Sequence, residues 1–127
     1  MRDFRTSTAL ARGLGAAGNG TRDFWHQRVT SVLGVLLIAG VLIVISTSVG
    51  ADYDEVTNLL SNPLAVIVLL LALLNFCIHM RIGMQVVIED YVHGPVTKAL
   101  LLIANTGFSA VIGVAGAAAV LKIAFAG

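Results

Sequence analysis

Three stretches of this chain lack almost every group that water would hold: Val29 to Val49, Leu64 to Ile88 and Ala99 to Leu121. Each passes the test for crossing a hydrocarbon core of about 30 Å, which takes roughly 20 apolar residues in a helix. Inside lipid every backbone N–H and C=O must be satisfied within the segment, so runs of this length can only be helices. The first and third carry no charge, and the second carries His79 and Arg81. An all-α membrane protein with three transmembrane helices follows, spanning approximately residues 25–49, 63–89 and 95–122 of one domain covering 1–127. Pro63 after Asn62 and Pro95 after Gly94 mark the starts of the second and third helices, because the first helical N–H needs no partner.

Composition sharpens what this excludes. The chain is 57% hydrophobic and 12% charged, which leaves no polar surface for a separate catalytic domain. No Gly-rich nucleotide loop, Walker motif or nucleophile elbow occurs, and no nucleic-acid partner is expected. The single cysteine, Cys77, cannot by itself frame a disulfide or an iron-sulfur cluster. Any chemistry is therefore small or shared with other chains.

Charge sets the expected orientation. Arg2, Arg5, Arg12, Arg22 and Arg28 crowd the head, whereas Asp52, Asp54 and Glu55 follow the first apolar run. Basic residues accumulate on the side from which insertion occurs, so the segment 1–24 is expected in the cytoplasm. A bacterial inner membrane is the expected location, with the mitochondrial inner membrane as the alternative. His26, Asp90, Tyr91 and His93 then share one membrane face, and Lys122 snorkels at the other. The first apolar run lies too far into the chain, and is too long, for a secretory signal peptide. In the third helix, Ser109, Gly113 and Ala117 at four-residue spacing suit close helix packing.

The second helix carries the polar line. At about 100° per residue, with His79 at zero, Asn75 falls at about −40°, Gly83 at about +40° and Asp90 at about +20°, while Arg81 falls at about 200°. His79 lies roughly 13 Å below the cytoplasmic boundary on a straight helix, a depth at which an ionisable residue needs a named partner. A neutral imidazole bonded to a neighbouring helix is one reading. An axial ligand of a haem iron is the other, with Gly83 clearing room for a flat macrocycle or a neighbouring helix. Because His26 and His93 stay at the boundary, a second histidine ligand has to come from another chain. Asp90 and Tyr91 are either a solvated helix end with a belt tyrosine or a donor and carboxylate for a quinone carbonyl. Arg28, just inside the apolar window, can bind a buried carboxylate such as a haem propionate.

His79, Gly83, Asp90 and Tyr91 at these spacings, with Asp23, Phe24 and Arg28 ahead of the first of three helices, resemble the hydrophobic membrane-anchor subunits of succinate dehydrogenase, respiratory complex II. The specific motifs occupy residues 21–31 and 75–94, and the topology covers the whole chain. The resemblance implies half of a heterodimeric anchor bundle: a second three-helix anchor chain shares a haem b, with His79 matching this chain's axial ligand. It implies that Tyr91 and Asp90 contact ubiquinone, that Arg28 lies near the propionates, and that an iron-sulfur subunit and a flavoprotein dock on the same face. Arg22 stands where some members carry histidine, and Arg81 is an added cation near the ligand position. The competing readings are a fumarate reductase anchor using menaquinol and a small haem-free transport or structural subunit.

Overall fold

The computed structural model describes residues 20–126, so the head with Arg2, Arg5 and Arg12 lies outside the described residues. Four helices joined by short connections make up the described chain: α1 (Gly20–Ser48), α2 (Tyr53–Leu60), α3 (Pro63–Tyr91) and α4 (Pro95–Ala126). Three of them, α1, α3 and α4, are long and apolar enough to cross a membrane. The expected all-α membrane architecture is what the chain adopts.

Local chemistry sets the ends. Gly50, with φ 79°, takes the left-handed conformation that stops α1. Asn62 caps α3, its Oδ1 accepting from the Leu64 N–H at 2.9 Å, with Pro63 in the first helical position. The acidic connection between the first two spanning helices contains α2. There the Glu55 carboxylate accepts from the Asp52 backbone N–H at 3.3 Å, and Val56, Leu59 and Leu60 turn inward while Asp54, Glu55 and Asn58 face out. This short amphipathic helix touches all three long ones. Polar flanks and only eight residues hide such an element from any spanning test.

The long helices do not close into a bundle. α3 lies in the middle with α1 on one side and α4 on the other, and α1 and α4 make no close contact. The result is a layer one helix thick with two open broad faces, and its small core consists of Ala65, Ala72, Ile82 and Ile88, with Thr30, Asn75 and Ser109 as buried polar groups.

Small residues set the close approaches. A Cβ at Gly40 would lie 2.8 Å from Val68 Cγ1, and one at Gly116 would lie 2.8 Å from Leu73 Cδ2. Gly113 packs on Cys77 and Ser109 is buried, so the stripe on the third transmembrane helix faces α3. The two tight glycines should respond differently to alanine. Val68 is β-branched and stiff, so Gly40→Ala is expected to lower stability by about 1–3 kcal/mol through overpacking. The tip of Leu73 can rotate away, and the better helix propensity of alanine returns about 0.5–1 kcal/mol, so Gly116→Ala is expected to be near neutral. Thermal denaturation of the detergent-solubilised protein compares the two, and equal losses would contradict the assignment of stiffness to Val68.

Candidate functional site

Two polar stripes meet along the antiparallel seam between α1 and α3. On α1 it is Gln27, Thr30 and Gly34, at spacings of three and four; on α3 it is Asn75, His79 and Gly83, at spacings of four. Both spacings keep side chains on one helix face. Gly34 allows the approach, since a Cβ there would sit 3.1 Å from Asn75 Nδ2. Asn75, buried, donates from Nδ2 to the Thr30 carbonyl at 2.9 Å and so bonds α3 to the α1 backbone. Within lipid such a cross-helix bond contributes about 0.6 kcal/mol on average.

His79 is half-buried one turn further on and has a partner for each ring nitrogen: Thr30 Oγ1 at 3.0 Å from Nδ1, and Gln27 Nε2 at 3.3 Å from Nε2. The protons can be assigned by counting. Thr30 Oγ1 stands 2.7 Å from the His26 carbonyl oxygen, and two oxygens approach that closely only with a hydrogen between them. A carbonyl cannot donate, so the single hydroxyl hydrogen of Thr30 points at His26 O. Toward His79 the hydroxyl can only accept, which places the ring hydrogen on Nδ1. Nε2 then carries the lone pair, and the Gln27 amide donates to it. The Gln27 Oε1 atom is buried without a partner among the described residues. Leaving a buried acceptor unmet costs about 1–3 kcal/mol.

Gly83 lies next to the same amide, with Gln27 Nε2 3.4 Å from where a Cβ would be. The room it clears inside this chain is room for Gln27. Among the described residues no three His, Cys, Asp or Glu side chains converge, at His79 or elsewhere.

The remaining sequence-selected residues lie apart from this cluster. Asp90 and Tyr91 are exposed at the last turn of α3. Arg28 is exposed, with its guanidinium 4.7 Å above the Phe24 ring, and that ring meets Trp25 edge-on. Arg81 faces the other way, toward α4: its Nε donates to Thr106 Oγ1 at 3.3 Å and its carbonyl accepts from Asn105 Nδ2 at 2.8 Å. It lines a groove of about 660 Å³ between α3 and α4, on the side of α3 away from His79. Gln27 and Thr30 escaped the sequence reading. Their three-residue spacing to one another, and the four to Gly34, was the available signal, but it becomes meaningful only once α1 is in register with α3.

Comparison with known proteins gives a consistent result. Residues 2–120 match the family model described as "Succinate dehydrogenase/Fumarate reductase transmembrane subunit". A protein of Rickettsia bellii is 33% identical over 84% of this chain and 86% of its own length. One from Paracoccus denitrificans is 28% identical over 76% of this chain and 75% of its own length. One from Rickettsia conorii is 30% identical over 71% and 72%, respectively. All three bear the name succinate dehydrogenase hydrophobic membrane anchor subunit.

Proposed function

The chain belongs to the succinate dehydrogenase/fumarate reductase transmembrane subunit family, and from that premise we propose that it supplies one axial ligand of a shared haem b and part of a ubiquinone-reduction site. As a membrane anchor subunit it associates with the other subunits of the enzyme. The finer assignment is that a second three-helix anchor chain covers one open face of the layer, and that an iron-sulfur subunit and a flavoprotein dock at the end bearing Asp90 and Tyr91. The expected setting is the inner membrane of a bacterium with the N-terminus cytoplasmic, an orientation supported by the arginines of the head.

The observation that carries the ligand assignment is the contact of Thr30 Oγ1 with His79 Nδ1 at 3.0 Å. An imidazole binds iron through a neutral nitrogen lone pair; the Thr30 contact leaves that lone pair on Nε2, and the Gln27 amide that donates to it would have to give way to iron. The donor chemistry thus fits the group. Haem, when bound, supplies one-electron storage within the membrane. His79 would hold its iron from this chain, and Arg28 is the available cation for a propionate, held outside the seam by Phe24.

The quinone assignment draws on Asp90 and Tyr91 at the membrane end of α3. Both are exposed, as groups awaiting an external partner must be. The Tyr91 hydroxyl would donate to a quinone carbonyl, and the adjacent carboxylate would orient it or pass a proton from the aqueous side. The names borne by the relatives favour succinate oxidation over the fumarate-reducing direction, and no observation in the structure favours transport.

The test is a reduced-minus-oxidised visible spectrum of the native complex purified through this chain. A b-type band, with the flavoprotein, iron-sulfur and second anchor subunits co-purifying, is the expected result. A colourless membrane fraction with the same subunits would remove the haem and return His79 to helix packing.

A further inference from the structure

We propose that Thr30 is the positioning residue of the His79 ligand: its hydroxyl takes the Nδ1 hydrogen and thereby sets the ring plane and the donor strength of Nε2. The inference rests on the reading of His79 as a haem ligand and adds to it a residue of α1 that holds the ligand in its working form.

Four features of residue 30 support this. Its side chain is buried, 8% exposed, in a helix whose neighbouring positions face outward. Its hydroxyl hydrogen is spent on the His26 carbonyl at 2.7 Å, with the Gln27 carbonyl at 3.1 Å as a second acceptor, so the oxygen can turn only an accepting lone pair to Nδ1. Its own carbonyl is taken by Asn75 Nδ2 at 2.9 Å. Backbone and side chain of one residue are therefore tied to two α3 residues one turn apart, and neither can shift without the other. The fourth feature is contrast: the hydroxyls of Ser31, Thr47 and Thr57 bond only to carbonyls of their own helix, and Thr30 is the hydroxyl, among the described residues, that reaches an imidazole.

An imidazole that donates from its far nitrogen is a stronger base at the ligating one, and such outer partners typically change metal affinity by about 10–100-fold when removed. A stronger donor favours the more highly charged ferric iron. Loss of the Thr30 hydroxyl should therefore weaken haem retention and raise the midpoint potential.

The experiment compares the intact complex carrying Thr30→Val, Thr30→Ser or His79→Leu with the native complex. Haem content after extended detergent washing, the midpoint potential by spectroelectrochemical titration, and the low-spin ferric EPR signal are read on each. Thr30→Val, which keeps the shape and deletes the acceptor, is expected to lose haem about 10–100-fold more readily, to titrate at a higher potential and to shift the EPR signal. Thr30→Ser is expected to restore all three. If Thr30→Val does not assemble, Thr30→Ala makes the same deletion without the added methyl. Native potential and EPR signal in the hydroxyl-free variant, with the band lost in His79→Leu, would overturn the role of Thr30 and leave the ligand reading standing. Failure of Thr30→Ser alongside Thr30→Val would overturn it too, by tracing the effect to packing. A native band in His79→Leu would remove the ligand reading and this proposal together.

Discussion

The His79→Leu complex is expected to lose or shift its native b-type haem band while succinate oxidation measured with an artificial dye persists. The argument is local. Leucine fills a similar volume on the seam but has no lone pair for iron and nothing for Thr30 or Gln27 to bond. Thr30 still has the His26 carbonyl at 2.7 Å. Gln27 is more exposed to the change, because its Oε1 is already unmet and its Nε2 would join it. Part of any defect in His79→Leu could then be packing, and His79→Gln separates the two, since an amide keeps a polar partner in the seam and offers no imidazole. The same spectral loss in both variants, with normal subunit stoichiometry, assigns the effect to ligation. A native band in both would take His79 out of the haem site. Dye-linked activity should survive in either case if, as proposed, the succinate-oxidising chemistry belongs to the flavoprotein.

Tyr91→Phe is expected to act on the other half of the site. Tyr91 is 79% exposed at the last residue of α3, and its hydroxyl has no partner among the described residues. Deleting a phenol that makes no bond in its own chain should not disturb folding. If that phenol donates to a quinone oxygen as charge develops there, its loss should lower quinone reduction by about 10²–10³ in kcat, the usual effect of removing one such donor. The haem band should be unchanged. Were Tyr91 only a member of the interfacial aromatic belt, phenylalanine would serve nearly as well and quinone turnover would stay normal. The two substitutions thus dissect the polar line of α3 into an end that changes the spectrum and an end that changes turnover.

How much of this was legible beforehand differs between elements. The three spanning helices were legible because backbone satisfaction in lipid leaves no alternative to a helix over such runs. The line of Asn75, His79 and Gly83 was legible because it needs only the helix repeat. Gln27 and Thr30 were not, because their role arises from the register of one helix against another, and two apolar helices in lipid show no hydrophobic face from which to infer it. The amphipathic α2 was hidden among acidic residues. For Arg81 the helix repeat placed it opposite His79, and the structure turns it toward Thr106 and Asn105. The hydrogen-bond partners of His79 were beyond any sequence argument: they depend on where Thr30 Oγ1 lies between the His26 carbonyl and the imidazole.

The flat arrangement of α1, α3 and α4 bears on how a cell must handle this chain. With two broad faces uncovered and a seam that ends in an unmet amide oxygen, the lone subunit is a half-finished object whose persistence depends on how much partner is present. By mass action, a protein completed by another gains stability as that other accumulates, at RT ln(1 + [L]/Kd). If that other is the proposed second anchor chain, copies made in excess of it would be the ones that membrane proteases reach first. Matched synthesis of the two would then be a requirement built into the geometry of a single layer of helices.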